Sequence, residues 1–317
     1  MVTPHARKLV IATAGLLAAG LAALPALAQA STSAPAVSYS FHTYNNSNDE
    51  TFNQLLGINK SGEISGYFGS GAAGHKNKGY LLKPPYHQID YVVENFPGSA
   101  QTQVTGLNDT GITVGFYSHT NKANLMNANF GFYRIRGKYR TVDFPTGDNS
   151  NPAVNQLLGV NDSKIAVGFY VDSAGNAHGY AYDIATGHFQ RVKISGAVSL
   201  TATGINNHGD VTGFFNRATG PVESFLLTRG GHLYTMAVKG ADMTQAFGVN
   251  DNDEVVGAIT TGSSTFGFTW TPTGGFHQVN DPKGVGSTVI NGVNDAGDLV
   301  GFYTDSRGNV DGMLATP

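Results

Sequence analysis

The sequence predicts an all-β chain: a six-bladed β-propeller of four-stranded blades, closed by the N-terminal strand pairing with the C-terminal blade. Three observations predict it. A Gly–apolar–Asn triplet recurs at Gly57-Ile58-Asn59, Gly106-Leu107-Asn108, Gly159-Val160-Asn161, Gly204-Ile205-Asn206, Gly248-Val249-Asn250 and Gly292-Val293-Asn294, with Asn spacings of 49, 53, 45, 44 and 44. A period in that range marks a repeat architecture, with propeller blades among the main candidates. Each triplet is followed by the same succession of short strand patterns, and no helical period shows outside the first thirty residues. The sixth unit stops at Pro317 one strand short, while a spare strand pattern, SFHTYNN (40–46), precedes the first triplet and resembles FHQVNDP (276–282). Joining the two ends closes the ring and protects the sheet edges. A seven-bladed ring with one degenerate blade and a β-solenoid are the alternatives.

Residues 1–30 read as a Sec-type signal peptide. His5, Arg7 and Lys8 give a positive start, LVIATAGLLAAGLAAL (9–24) an apolar run short for a bilayer, and Ala28-Gln29-Ala30 a small–x–small site cut after Ala30. An N-terminal membrane anchor is the other reading. The remainder, 31–317, is expected to be a single propeller domain, secreted or periplasmic, with no membrane span in the mature chain. There is no cysteine. An exported chain without disulfides must rely on core burial, and this one is long enough to do so. The net charge of −3 and the lack of any basic run exclude nucleic acid as an expected partner.

Within a repeat, the first strand ends on the triplet. A four-residue turn follows, with Asn first and Gly62, Gly111, Gly209 or Gly297 fourth. Asn caps such a turn and Gly accepts a positive φ. Lys164 and Asp253 replace that Gly, so those two turns are expected to be strained or differently shaped. The second strand carries Gly then aromatics, as in Gly115-Phe116-Tyr117, and its Gly signals close approach of a neighbour. The third strand opens on patterns such as Gly131-Phe132-Tyr133. Fourth strands are read at 87–93, 138–144, 188–194, 232–238 and 276–282.

The pattern Gly–apolar–Asn–x–x–Gly–x–Val–x–Gly–Phe, followed by a Gly-aromatic third strand, resembles the HAF repeat family of probable extracellular bacterial proteins, over essentially all of 40–317. The nearest match to the eponymous His-Ala-Phe is His178-Gly179-Tyr180. The resemblance implies fold and export, and no activity.

Familiar chemical motifs fail on context. Gly69-Ser70-Gly71-Ala72-Ala73-Gly74 spells a dinucleotide loop but leads into a strand pattern, where a pyrophosphate site needs a helix. Asn250-Asp251-Asn252-Asp253-Glu254 lacks the late bidentate Glu of a calcium loop and falls on the recurring turn. There is no G-x-S-x-G elbow and no HExxH pair. No cofactor and no metal site is read.

The candidate ligand-binding residues begin the innermost strands: Gln54, Gln103, Gln156 and Gln245, with Thr102 and Asn155 beside them. At roughly 7 Å from the axis, a radius built on strand spacing, such side chains can meet around one small ligand. Amides donate and accept without acting as strong acids or bases, which suits a neutral polar ligand. The competing reading has them bonding neighbouring blades and channel water. The loops SHTNKANLMNAN (118–129) and PTGDNSNPAVNQ (145–156) share that face. The expected function is therefore a binding module for a neutral polar small molecule, glycan, peptide or protein. The alternative is an extracellular hydrolase or lyase at the channel mouth, with Asp49, Glu50, Asp148 and Asp242 as candidate acids.

Overall fold

The computed structural model describes residues 37–119 and 128–317. Residues 1–36, which include the segment read as a signal peptide, and residues 120–127 of the first long loop lie outside the described residues. Among the described residues, six four-stranded antiparallel sheets form a ring. The innermost strands are Asn53–Ile58, Gln101–Leu107, Asn155–Val160, Ser199–Ile205, Met243–Val249 and Thr288–Val293. The first five sheets run outward in chain order. The sixth is completed by Ser40–Thr43, which pairs with Val310–Thr316 as its outermost strand. Phe41 stands opposite Ala315, His42 opposite Leu314 and Thr43 opposite Met313. Asn45 extends this seam: its Nδ2 donates to Asp311 Oδ1 at 2.7 Å, and its Oδ1 accepts from the Gly312 N–H at 3.0 Å.

Two sets of glycines make the ring possible. Each inner strand carries one bulged residue just before the triplet Gly: Leu56, Thr105, Leu158, Thr203, Phe247 or Asn291. Two residues before each bulge, a carbonyl presses on the second strand. A Cβ on Gly66, Gly115, Gly168, Gly213, Gly257 or Gly301 would collide with it. The triplet glycines meet one another instead. A Cβ on Gly57 would lie 3.2 Å from the Cα of Gly106, and the relation repeats around the ring until Gly292 meets Gly57 at 3.1 Å. Six backbones thus converge where no side chain fits.

The turns after the triplets hold the other end. Each Asn side-chain oxygen accepts backbone N–H groups within its own turn, as Asn108 Oδ1 does from Thr110 at 3.1 Å and Ile112 at 2.8 Å. Each Asn Nδ2 donates to the triplet Asn carbonyl of the next blade: 59 to 108, 108 to 161, 161 to 206, 206 to 250, 250 to 294 and 294 back to 59, at 2.9–3.4 Å. Lys164 and Asp253 adopt φ of +65° and +59°, the left-handed conformation of Gly62, Gly111, Gly209 and Gly297. Those two turns therefore keep the common shape and carry the strain.

Blades pack by small-against-large complementarity. Third-strand glycines Gly79, Gly131, Gly267 and Gly312 abut Val104, Leu157, Ile290 and Leu55 of the next inner strand. In the fourth blade Ser224 takes the glycine's place, and the smaller Ala246 stands at the facing inner-strand position. The fourth strands are shorter than expected. In the first blade Gln88–Asp90 form a 3₁₀ turn, because Asp90 Oδ2 accepts the His87 N–H at 2.7 Å and folds the chain back before Tyr91–Val93.

Gly159→Ala should destabilise the ring. The added methyl meets Thr203 O at 2.9 Å and Gly204 Cα at 3.1 Å, both backbone atoms. The expected loss is about 2 kcal/mol or more, read as a fall in Tm of at least about 4 °C. Lys164→Gly should do the reverse. Relieving a left-handed strain of about 1–2 kcal/mol, against a glycine entropy cost of about 0.5–1 kcal/mol, leaves a gain of about 0.5 kcal/mol in a denaturant titration.

Candidate functional site

The ring presents two faces. On the turn face the axis opens into a pit of about 90 Å³, lined by the six triplet asparagines and the residues that follow them. Those followers form a second interblade series: Lys60 N–H to Asp109, Asp109 to Asp162, Asp162 to Asn207, Asn207 to Asp251 and Asp251 to Asp295, at 2.7–3.0 Å. The series stops there, because the Lys60 side chain cannot accept a bond from Asp295. Burial, with Asp109 alongside, raises the Asp162 carboxyl above the usual range. The pit holds a few waters at most, at about 30 Å³ each.

The opposite face carries the loops and the starts of the inner strands. All six sequence-derived site residues lie there, and all are buried: Gln54, Gln103, Gln156, Gln245, Thr102 and Asn155. The four glutamines hold equivalent register positions, opposite Tyr67, Phe116, Phe169 and Ala258. Their bonding differs. Gln103 Nε2 donates to Asn77 Oδ1 at 3.1 Å and Gln156 Nε2 to Asn129 Oδ1 at 3.2 Å, each reaching the preceding blade. Asn155 Nδ2 donates to Val142 O and Asp143 Oδ1, both at 2.9 Å, while Tyr180 donates to Asn155 Oδ1. Thr102 Oγ1 accepts from the Phe96 N–H at 3.1 Å. Gln54 Oε1 accepts from the Tyr67 hydroxyl at 2.9 Å, but its Nε2 is buried with no hydrogen-bond partner among the described residues. Thr201, at the same level of the ring, has an equally unpartnered Oγ1. A buried orphan polar atom costs about 1–3 kcal/mol, and Ser65, Tyr80, Tyr91, Arg191 and Ser287 bury such atoms elsewhere in the ring.

The bulged residues beside the axis escaped sequence reasoning. They alternate around the ring. Thr105, Thr203 and Asn291 donate to Leu157 O, Ala246 O and Leu55 O of the next blade at 2.8–3.0 Å. Leu56, Leu158 and Phe247, in the intervening blades, are apolar and half-buried. The repeat spelling identifies these positions only once the register shift is known.

A larger cavity sits at the closure blade, on the same loop face. It measures about 580 Å³ and is lined by Thr43, Asn45, Lys283, Tyr303, Asp305, Ser306, Arg307 and Asp311. Three chain segments meet there: the closing strand, the loop entering the sixth blade, and the loop between its second and third strands. None of the six sequence-derived residues lines it. Lys283 Nζ donates to Thr43 Oγ1 at 3.1 Å, Thr43 Oγ1 bonds the Tyr303 hydroxyl at 2.9 Å, and Arg307 Nε pairs with Asp305 Oδ2 at 3.0 Å. Burial pushes the Tyr303 phenol up to about 12, so it stays a neutral hydroxyl at physiological pH. Two cations face two carboxylates, and the lining is charge-balanced.

Two further polar groups mark this face. In the third blade Asp172 Oδ2 lies 2.7 Å from His178 Nε2; His178 Nδ1 lies 2.8 Å from Arg191, which donates to the Tyr170 hydroxyl at 2.6 Å. Among the candidate acids, Asp49 Oδ2 lies 2.7 Å from His75 Nδ1. Asp148 Oδ1 accepts from the Ser173 N–H, and Asp242 Oδ2 from the Gly262 N–H. These latter two shape loops. The Gly69–Gly74 segment is a loop ahead of strand Lys78–Leu82, with no helix behind it.

The architecture defines the class: a six-bladed β-propeller with a polar loop face. Solved structures share it. A putative TolB from Agrobacterium tumefaciens is 12% identical over 88% of this chain and 98% of that one, with a TM-score of 0.57. The SapL1 lectin in complex with alpha methyl fucoside is 9% identical over 84% and 93%, at 0.53. TolB from Acinetobacter baumannii is 12% identical over 80% and 63%, at 0.50. At such identities the likeness concerns the fold alone. No family model matches the chain, and no curated protein sequence is similar to it.

Asp172 offers a pH test. Burial raises its carboxyl, but hydrogen bonds from the Asn176 N–H and from His178 outweigh that and hold it below the ordinary range. A depressed folded value stabilises the fold above the unfolded value, about 3.9, and the benefit is lost as pH falls through the folded one. Asp172→Asn should therefore lower Tm near neutral pH, and its gap from the parent should close below about pH 4.

Proposed function

We propose that this chain is an exported binding module whose loop face takes a neutral polar ligand, of which a glycan is the best-suited class. The cavity at the closure blade carries the reading. Its volume falls within the roughly 300–1,000 Å³ of small-molecule sites, and its wall alternates donors and acceptors around a neutral tyrosine hydroxyl. Balanced charges favour hydroxyls, which both donate and accept, over a net-charged ligand. The axial glutamines form a second contact region. Gln54 Nε2 and Thr201 Oγ1 lack hydrogen-bond partners among the described residues and, once the channel mouth opens to a ligand, bond to it. The repeat spelling supports grouping the chain with the HAF repeat proteins. The signal-like first thirty residues support export to the periplasm or beyond, and among the described residues no helix is long and apolar enough to cross a membrane.

A glycan array followed by calorimetry tests this. A saccharide should bind without turnover. Tyr303→Phe with Asp311→Asn should weaken it at least about tenfold if the closure cavity is the site, the equivalent of about 1.4 kcal/mol. Gln54→Ala with Gln103→Ala should do so if the ligand sits on the axis. Binding unaffected by both pairs, or product release from any array member, would sink the binding-module reading.

A further inference from the structure

Turn-face side chains of the fourth and fifth blades gather a second, unrelated donor set. His208 and Asp210 come from the turn after Asn206, and Asp253 from the turn after Asn250. Their nearest ligand atoms, one imidazole nitrogen and two carboxylate oxygens, all lie within 4.8 Å of one another. Asp210 is buried, Asp253 half-buried and His208 exposed. From these residues we infer a divalent transition-metal site that staples the fourth blade to the fifth.

Comparison with the chain's own repeats shows how specific this placement is. Where His208 stands, the other turns carry Ser61, Thr110, Ser163, Asn252 and Ala296. Where Asp253 stands, four turns carry Gly and one carries Lys164. The acidic position of Asp210 is shared by Glu63, Glu254 and Asp298, but among the described residues none of those three belongs to a three-ligand cluster of this kind. The fourth and fifth turns thus depart from the repeat at adjoining positions, and both departures add a ligating group. Asn206 Nδ2 reaches both carboxylates, Asp210 Oδ2 at 3.2 Å and Asp253 Oδ1 at 3.4 Å, and the Arg229 N–H donates to Asp210 Oδ1 at 2.7 Å. These bonds orient the carboxylates without supplying a positive charge.

Donor chemistry selects the ion class. One imidazole and two carboxylates suit zinc and its neighbours, with ligands at about 2.0–2.2 Å and water completing the shell on the exposed His208 side. Calcium prefers six to eight oxygens and takes no imidazole here. Binding draws the three ligand atoms, now within 4.8 Å of one another, in around the ion. The site lies on the face opposite the proposed ligand cavity, so the two stand or fall separately.

The test uses the metal alone on the purified mature chain. Zinc at about a hundredfold over its Kd should raise Tm by about 5–10 °C, and calcium at the same concentration should not. Asp253→Gly is the decisive variant, because it restores the glycine of the other turns and so keeps the fold. It should leave the metal-free Tm equal or higher and weaken zinc binding at least about tenfold in calorimetry. His208→Ala should weaken it similarly. Zinc binding that survives both substitutions, or a Tm unmoved by zinc, manganese and nickel alike, overturns the site.

Discussion

Everything in this molecule depends on six backbones meeting at one axis. The triplet glycines approach so closely that a single methyl group on any of them would fall about 3 Å from the next backbone. That contact leaves no room for a side chain, and it sets the radius at which all other strands must stack. The asparagine ring adds direction to it. Each side-chain amide shapes its own turn through Oδ1 and grips the neighbouring turn through Nδ2, so folding one blade prepares the docking surface of the next. Closure is the condition for the last such bond, from Asn294 to Asn59 across the joined chain ends.

A scaffold held this tightly on its axis concentrates variation elsewhere. Six copies of one turn give a nearly uniform pit of about 90 Å³, too small for a drug-sized ligand. Loop-face segments take no part in the glycine and asparagine rings, and there the repeats diverge. The closure blade differs in having a sheet assembled from both ends of the chain. Three segments remote in sequence meet around Tyr303 and line an open cavity of about 580 Å³. Propellers of this architecture share the ring, and chemistry resides in what each chain builds upon it.

Polar burial on both faces follows one logic. Strand starts and turn ends must satisfy backbone groups that no ladder reaches, and amide side chains do so while also reaching the next blade. The same supply of amides creates the exceptions. Gln54 and Thr201 occupy ring positions at which Gln103 and Gln156 bond across blades, yet Gln54 Nε2 and Thr201 Oγ1 end without a hydrogen-bond partner among the described residues. Alternation of Thr105, Thr203 and Asn291 with Leu56, Leu158 and Phe247 gives the six-fold ring a three-fold character near the axis.

The chain's spelling by itself determined the number of blades, the turn chemistry, the second-strand glycines and the pairing of Phe41 with the C-terminal strand. These are local or periodic features, legible because each is dictated by a few neighbouring residues and repeated six times. Lys164 and Asp253 show the limit: the spelling marked their turns as exceptions, and only the folded backbone revealed the shared left-handed shape. Tertiary structure alone decided which inner-strand amides bond across blades, where the loop-face cavity opens, and that His208 and Asp210 lie beside Asp253. Those contacts join residues remote in sequence, from 26 positions apart for Gln103 and Asn77 to 260 for Thr43 and Tyr303. Their distances depend on the rotation between blades, which the glycine ring sets and no single repeat encodes.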